Sequence, residues 1–486
     1  MFRHTFFLAG ALSVLSVPSW SQDLGDDLRG GVYDAEDTSV VAEEPANARR
    51  NPTSSPVYSL RGLSNEAVAE EGSTGLGSAG RVEPVRPFSD RVQAVRALGG
   101  AGSVLSSDGA FAGDTRFDEA SGIRVGTFTI LPELTVTGGW TDNTAQSVGG
   151  TSGTLYRIAP SITATSDWSR HQLGFALRGS YVAYPDDRSD DDQSVSASTA
   201  LRLDLNSRTT ANGALAYTFS QEDASSAEAG GSSDDIHQVS GSLGITRDAG
   251  IVAVTLRGGL DRNIYSADNG GSSSSSRDNT LYSAALRVDA NPGAVFSPFA
   301  EGALLLRRYD RSCSDAICEK RDANGYQMRG GIAISSGPKL AGEVGAGWRV
   351  EDLEDERLDA LSGVVVDASL VWSPTRLTTV TGGLGTRFET TDIDGASGSI
   401  IYSGDVRIAH EFTDRLVGEA GAGYSYRTYQ GASIEEKTLT GLLGATFALT
   451  RNAALQTRYT YRRFEGESSG SDYDQSTIEA GVRFRH

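Results

Sequence analysis

The sequence predicts an all-β protein, namely a transmembrane antiparallel up-and-down β-barrel of about 18 strands preceded by a disordered N-terminal arm. From about residue 123 onward, apolar residues alternate with small, polar or charged ones, as in strands whose two faces meet different surroundings. The alternating runs are about 10 to 14 residues long, which suits a tilted crossing of a bilayer. The connections between the runs are alternately long and short, as in outer-membrane barrels.

Composition excludes two other classes of protein. The chain has 486 residues, and after the first 21 it contains no apolar run of about 18 residues, so a transmembrane helix is excluded. The formal net charge of −20 argues against nucleic-acid binding, because phosphate recognition needs a basic surface. The chain is also rich in glycine, with 58 Gly against 13 Pro and 2 Cys, which is typical of bacterial surface β-proteins.

Residues 1–21 have the features of a secretory signal peptide. Arg3 and His4 precede the apolar stretch Phe6–Val17, which is too short to span a membrane. Ser19 and Ser21 are small residues of the kind found around a cleavage site, and we expect cleavage after Ser21. A buried N-terminal helix is the less favoured alternative.

Residues 22–121 predict a disordered periplasmic arm. The segment has no sustained period-2 or helical pattern and few aromatic residues. Such a chain cannot bury enough apolar surface to offset the entropy of ordering. A passive linker is favoured over a plug or a partner-docking arm. Residues 122–486 would then form the barrel.

The spacing of the connections gives the strand count. Nine long and eight short connections predict eighteen strands with both chain ends on the short-turn side, and sixteen strands is the alternative. A β-propeller or β-solenoid would show a repeated motif, and the sequence has none. The long connections are 141–153, 185–193, 222–235, 266–278, 310–324, 353–361, 391–399, 430–436 and 466–475.

Aromatic residues recur near the predicted strand ends. Two such belts are expected where a barrel meets the membrane interfaces. Trp168, Trp372 and Phe412 mark the short-turn ends. The residues expected at the long-loop ends are Tyr184, Tyr265, Tyr282, Tyr309, Tyr326, Tyr402, Tyr429 and Tyr461.

Strand parity places a set of charged residues on the inward face. A charge near the bilayer midplane costs about 2–4 kcal/mol on the lipid side, so these residues fix the register. They predict a pore lined by facing arginines and carboxylates. The alternative is that the charges pair across neighbouring strands and only satisfy a wet interior. The predicted pore-lining residues are Arg178, Arg202, Asp204, Arg257, Arg287, Asp289, Glu301, Arg329, Glu343, Arg349, Asp367, Arg387, Arg407, Glu419, Arg427, Arg458, Arg462, Glu479 and Arg483.

The two cysteines predict a local disulfide. Cys313 and Cys318 lie in one polar loop, and an oxidising compartment favours their pairing over free thiols or a metal site. The outer loops are acidic, as at Glu354–Glu356, and clustered carboxylates could bind Ca²⁺ shared with lipopolysaccharide phosphates. Solvated loop surface is the favoured interpretation, because no calcium-loop spacing is present. We therefore expect no metal and no cofactor.

Catalysis is the other class of function that the sequence raises. The string Gly466–Gly470 matches G-x-S-x-G, but it lies in a Gly/Ser-rich loop and not at a strand-to-helix turn. His237 lies beside Asp234 and Asp235, and a lone surface histidine explains it more simply than an acid/base group. We expect no enzymatic activity.

One segment resembles the first-strand signature of a known family, Putative beta-barrel porin 2. In Gly122–Asn143, the matching positions are Gly122, Arg124, Gly126, Phe128, Pro132, Trp140, Asp142 and Asn143. The next hairpin, Asp167–His171 with Tyr184 closing the strand, and the upstream Asp27–Gly30 are also similar to the family. The first hairpins match clearly, and the remainder matches by barrel pattern.

The resemblance implies a barrel in the bacterial outer membrane, mainly of proteobacteria, and for several members a suspected role in exopolysaccharide export. It implies no catalytic residues. The chain ends Phe484-Arg485-His486 instead of on the usual terminal aromatic residue, so recognition by the barrel assembly machinery would rest on Phe484.

Two functions follow as hypotheses. The first is a pore for polar solutes or for exopolysaccharide export, and the second is a non-conducting structural or adhesive barrel. The expected partners are outer-membrane lipid and lipopolysaccharide, the assembly machinery and polysaccharide export components.

Overall fold

The computed structural model describes residues 122–185, 191–222, 225–228, 234–267, 277–292, 294–311, 319–336, 339–375, 377–466 and 472–486. The predicted signal peptide, the predicted arm and the predicted Cys313–Cys318 disulfide lie outside these residues. Across the described ranges, no helix has the length and apolar character to cross a membrane.

Nineteen antiparallel strands make up the described part of the chain. In chain order they are β1 Ile123–Val125, β2 Phe128–Thr141, β3 Gly153–Ser166, β4 His171–Ala183, β5 Asp192–Asn206, β6 Thr209–Gln221, β7 Asp234–Asp248, β8 Val252–Ala267, β9 Asn279–Ala290, β10 Phe296–Tyr309, β11 Ala323–Ser336, β12 Leu340–Leu353, β13 Leu361–Thr375, β14 Thr378–Glu389, β15 Gly398–Thr413, β16 Leu416–Gln430, β17 Glu435–Ala448, β18 Ala453–Gly466 and β19 Tyr473–Arg485.

Strands β2 to β19 close into an up-and-down barrel. Each pairs with the next along the chain, and β19 returns to pair with β2, from Arg485 opposite Glu133 to Thr477 opposite Thr141. Eighteen strands therefore form the ring, which confirms the predicted count over the alternative of sixteen. The connections are nine long and eight short, so one end of the barrel carries all the long loops.

The short strand β1 is an addition that the sequence pattern did not separate from β2. It folds back on the start of β2, with Val125 opposite Phe128. Gly126 makes this reversal possible because its φ of 62° lies in the left-handed region that glycine adopts without strain.

The two faces of each strand differ sharply, and β10 shows the pattern most clearly. Its outward residues include Phe296 and Leu304, and Leu304 is 70% exposed. Its inward residues include Ser297, Glu301 and Arg307, which are all buried. This arrangement is the reverse of a water-soluble protein and matches a lipid-facing surface around a polar interior.

Aromatic residues flank the apolar band on the outer face, but four of the predicted ones do not belong to it. Trp168, Trp372 and Phe412 are exposed near the short turns, as expected, and Tyr282 and Tyr326 are exposed near the long loops. The belt at the long-loop end also contains Tyr156, Tyr181, Tyr217, Tyr424 and Tyr459.

Tyr184, Tyr265 and Tyr429 are instead buried inside the barrel, and Tyr309 faces inward beside Arg307, so the assignment of these four to the lipid interface was wrong. Each of them shares strand parity with an inward residue; Tyr429, for example, is two residues from Arg427. Position at a strand end is compatible with either face, and parity decides between them.

Replacing Leu304 tests the assignment of the outer face. We expect Leu304→Arg to lower the free energy of unfolding by about 2–4 kcal/mol, because the charge would face lipid near the middle of the strand. Urea unfolding in lipid vesicles measures this loss. Leu304→Val is the control and should cost less than about 1.5 kcal/mol. A loss of similar size in both variants would contradict a lipid-facing Leu304.

Candidate functional site

The inner wall carries ion pairs, and the largest group lies toward the short turns. Arg287 Nη2 is 2.7 Å from Asp289 Oδ1 and 2.9 Å from Glu343 Oε2. Arg329 pairs through Nε with Glu301 at 3.0 Å and also reaches Asp367, with 2.7 Å between Nη1 and Oδ2. The ring of Phe299 lies beneath both guanidinium groups, with centroid distances of 3.8 and 5.5 Å. Six predicted pore-lining residues thus form one network.

A second group follows the wall from β3 through β2 and β19 to β15. Arg157 Nε is 2.8 Å from Glu479 Oε1, which also accepts a hydrogen bond of 3.0 Å from Thr137 Oγ1. Arg407 Nε is 2.9 Å from Glu419 Oε1. Arg458 lies directly opposite Glu479 in the register between β18 and β19.

The remaining predicted residues also lie on the inner face. Arg202 pairs with Asp204 at 3.1 Å, and Arg349 Nε donates a hydrogen bond of 2.8 Å to Glu351. Arg178 shares parity with the buried Ala176 on β4. Arg257 and Arg483 are buried, Arg462 donates to Gln146 Oε1 at 2.6 Å, and Arg387 and Arg427 lie near the long loops.

The sequence interpretation left out several partners of these residues. Arg157, Arg307, Glu351, Glu389 and Glu436 complete the networks, and Arg307 Nε is 2.8 Å from Glu351 Oε2. Parity would have found three of them, because Glu351 and Glu389 stand two residues after Arg349 and Arg387, and Arg307 stands six residues after Glu301 on the same strand. The inward charges therefore both line the lumen and pair with one another. The two alternatives from the sequence, a charged pore lining and ion pairs within a wet interior, are compatible.

The tip of the β14–β15 hairpin leaves the wall. Main-chain pairing between β13 and β14 extends from Thr375 opposite Thr378 to Asp367 opposite Gly385. Beyond that point Thr386 Oγ1 accepts a hydrogen bond from Val366 N at 2.9 Å and donates one to Val366 O at 3.2 Å. The Thr386 side chain thus takes the place of main-chain hydrogen bonds where β13 and β14 separate.

The separated tip packs against the inside of the barrel. Phe388 and Ile400 form a buried cluster with Leu361 and Val365 of β13. Leu361 and Val365 share parity with the inward Asp367. Phe388 and Ile400 instead continue the outward parity of their strands, since Leu384 and Val406 are exposed.

The outer face of the tip therefore lies on the inner face of β13, so the tip bends into the lumen. The guanidinium of Arg349 lies 4.8 Å from the centroid of the Phe388 ring. Gly363 permits the approach, because a Cβ there would lie 2.7 Å from Ile400 Cδ1. Apolar contacts hold this part of the hairpin in place, and the absence of a side chain at Gly363 makes room for them.

The bent tip carries residues 390–397 across the mouth toward β8 to β11. Asn279 Nδ2 donates to Thr390 Oγ1 at 3.4 Å, and Arg321 Nη2 donates to the carbonyl oxygen of Ile393 at 2.9 Å. The amide of Gly395 donates to Glu319 Oε1 at 3.1 Å. These contacts join elements that are distant in the ring.

A second segment, residues 225–228, crosses the same mouth. It belongs to the connection between β6 and β7, yet it contacts β16 and β17, ten strands farther along a ring of eighteen. The amide of Ala227 donates to Glu436 Oε1 at 2.6 Å, and Arg427 Nη1 donates to Ser226 Oγ at 3.1 Å. We call residues 225–228 and 390–397 together the mouth lid.

Electrostatics at the lid differ from those of ordinary loop surface. Burial raises the pKa of Glu228 to about 7, although Arg277 and Arg427 act in the opposite direction, and Asp392 raises it further. Burial alone would lower the pKa of Arg277, but its hydrogen bonds and charge interaction with Glu222 raise it above the usual value. The lid therefore contains a carboxyl group that ionises near neutrality.

Histidines and acidic clusters form no metal-binding group in the described residues. His237 Nδ1 and Tyr217 OH are hydrogen-bonded at 2.9 Å, and Phe219 packs on the same imidazole. Across the described ranges no group of three or more His, Cys, Asp or Glu side chains is placed to hold a metal ion. Residues 467–470 of the G-x-S-x-G string lie outside those ranges.

Comparison with known proteins gives one family match. The family model described as Putative beta-barrel porin 2 matches residues 117–486. No curated protein matches the chain.

Several solved outer-membrane structures are remotely similar. The siderophore receptor PirA from Pseudomonas aeruginosa is 10% identical, with 74% of this chain and 80% of that chain covered and a TM-score of 0.33. The outer membrane protein opdK from Pseudomonas aeruginosa is 12% identical, covering 74% and 99%, with a TM-score of 0.38. The siderophore receptor PiuA from Acinetobacter baumannii is 10% identical, covering 75% and 82%, with a TM-score of 0.39.

Removing the apolar contact of the tip should release the lid. We expect Phe388→Ala to weaken docking of residues 390–397 by about 3 kcal/mol, because a large buried ring is lost. Limited digestion with a protease that cleaves before aspartate, read by mass spectrometry at Asp392 and Asp394, should then proceed much faster than in the wild type. Phe447→Ala, on the outer face, is the control. Equal cleavage of both variants would show that Phe388 does not hold the lid.

Proposed function

Because the chain belongs to the Putative beta-barrel porin 2 family and forms an outer-membrane β-barrel, we propose that it is a pore that passes polar solutes or exports exopolysaccharide. The observation that supports the proposal is a closed ring of eighteen strands with a polar, charged inner wall. Rings of this size are wide enough to enclose an aqueous channel. Inward charges such as Arg287 and Glu479 would offer hydrogen bonds to hydroxylated or charged cargo.

The mouth lid supports a gated pore, which is closed at rest and opens when the lid moves, over a permanently open pore. Its two segments reach across the long-loop end of the lumen and contact opposite parts of the wall. A non-conducting structural or adhesive barrel is the second candidate, and the same lid favours it. Ion conduction separates the two functions.

The parts outside the described residues complete the proposal. Residues 1–21 would be removed on export, and residues 22–121 would lie in the periplasm as a linker or a plug. The apolar outer face would contact lipid and lipopolysaccharide, and β19 would present Phe484 to the assembly machinery. Polysaccharide export components are proposed partners for the periplasmic side, and no catalytic role is proposed.

Conductance in a planar lipid bilayer tests the pore. We expect refolded residues 22–486 to give intermittent conductance, because the lid crosses the mouth, and Phe388→Ala to give longer openings. Deleting residues 22–121 should lengthen the openings only if the arm acts as a plug. Phe447→Ala is again the control. Silence from all forms, in barrels shown to be folded by gel mobility, would contradict the pore and favour the structural or adhesive barrel.

Conductance should also depend on pH through Glu228. Its pKa is about 7 in the docked lid and about 4.5 in a solvated loop, so the docked lid binds the proton more tightly. Docking is then strongest below about pH 4.5, weakens as the pH rises to about 7 and stays weak above that. The difference corresponds to an effect on the order of 3 kcal/mol on docking. Open time should therefore rise over this range.

Glu228→Gln should remove that rise, because glutamine does not ionise and keeps the lid docked at every pH. Glu354→Gln, in an exposed loop at the same end, is the matched control and should respond like the wild type. An unchanged pH response in Glu228→Gln would show that another group controls the lid.

A further inference from the structure

The connection between β6 and β7 brings two acidic side chains, Glu222 and Glu228, to the mouth. Arg277, which precedes β9, donates from Nη1 and Nη2 to the two oxygens of Glu222 at 2.9 and 2.7 Å. Glu228 Oε2 lies 3.6 Å from Arg277 Nη1, longer than a hydrogen bond. The Arg277 side chain is only 2% exposed, so one buried guanidinium faces two carboxyl groups from the same connection.

Two more arginines stand beside it at the mouth. Arg427 contacts Glu389, and its Nη1 is 3.4 Å from Glu436 Oε2 and 3.1 Å from Ser226 Oγ. Arg387 Nη1 is 3.1 Å from Glu389 Oε1. We call Arg277, Arg387 and Arg427 the mouth arginines.

The charge balance at the mouth depends on the docked segment. On the wall, the three mouth arginines face the two carboxylates of Glu389 and Glu436. The connection between β6 and β7 contributes a third carboxylate, Glu222, and the carboxyl group of Glu228, which is neutral below about pH 7, lies beside it. When this connection withdraws, the wall keeps more guanidinium groups than carboxylates in a poorly solvated place, and this state favours another anion.

Aromatic rings fix the orientation of two of these guanidinium groups. Arg277 lies over the ring of Tyr265 at 4.2 Å, and Arg427 lies over Tyr429 at 5.9 Å. A stacked guanidinium keeps its donors in the plane of the fork, where a carboxylate binds through both oxygens. Glu222 already binds Arg277 in this bidentate way, so the geometry suits carboxylates.

We propose that the mouth arginines bind the carboxylate groups of acidic saccharides, and that Glu222 occupies the same site as an internal competitor when residues 225–228 are docked. The inference rests on the proposed function, since it names the class of cargo that the pore would accept. An acidic saccharide that enters the mouth would replace one carboxylate by another on the same guanidinium groups. The carboxylate could belong to a polymer chain or to a free sugar acid.

Blockade of the single-channel current by oligogalacturonate tests the site. The refolded chain, residues 22–486, is compared with neutral malto-oligosaccharide of equal length and with monomeric galacturonate. We expect half-blockade by the acidic oligomer at a concentration about tenfold lower than by the neutral one. Glu222→Gln should lower that concentration several-fold further, because the competitor is weakened. Arg277→Lys and Arg427→Lys should lose the preference for the acid, since lysine cannot bind in the bidentate way.

Arg463→Gln is the control, because Arg463 is exposed on the outer face and lies outside the lumen. Stronger blockade by the oligomer than by the monomer supports a polymer as the source of the carboxylate, and equal blockade supports a free sugar acid. Equal blockade by acidic and neutral oligomers, or an unchanged response in Glu222→Gln, would overturn the inference and leave the pore standing.

Calorimetric titration of the folded barrel in detergent separates the two failures. A silent barrel that still binds oligogalacturonate through the mouth arginines would overturn the pore and retain the site. A conducting barrel that binds neutral and acidic oligomers alike would overturn the site and retain the pore.

Discussion

The closure of β19 on β2 is the constraint on which the rest of the structure depends. A sheet surrounded by lipid has no water to satisfy a free edge, so every main-chain donor and acceptor along its strands needs a neighbouring strand. Once Arg485 and Glu133 lie opposite each other, the strand count, the alternation of faces and the position of the long loops at one end are fixed together. Charged residues are then confined to the inside, because the lipid face penalises them.

Confinement of charge explains why the inner wall is a set of ion pairs. Each buried arginine needs a carboxylate or a carbonyl within reach. Arg407 and Glu419 satisfy this need between neighbouring strands, and Arg287 and Glu343 satisfy it across three strands. At the mouth the wall alone supplies too few carboxylates, and loop residues supply the others. The lid therefore follows from the same requirement that buried arginines be paired, at the place where the wall strands end.

Sequence alone predicted the ring but not the lid. The ring follows from the alternation of neighbouring residues along each strand, whereas the lid depends on contacts between residues far apart in the sequence. Alternation along β10 requires only neighbouring residues, so the eighteen strands and the inward charges could be read directly. Phe388 and Ile400 also alternate correctly, yet they are buried because their hairpin bends onto β13, which no local pattern encodes. Tyr265 and Tyr429 were assigned to the lipid interface from their place at strand ends, although parity already put them inside. Glu222 and Arg277 come together only in the folded protein, and their spacing in the sequence does not indicate that they pair.

The two parts of the lid are held by interactions of different kinds, and this difference decides which part can move. Phe388, Ile400 and Leu361 exclude water from a buried contact that a dissolved anion cannot replace. Glu222 on Arg277 is a charge pair whose partner is interchangeable, because another carboxylate restores the same two hydrogen bonds. Such an exchange costs little net free energy, whereas removing the partner without replacement leaves a buried charge. Glu222, together with residues 225–228, thus forms the exchangeable part of the mouth, and the β14–β15 tip is the fixed half of the lid that narrows the lumen in either state.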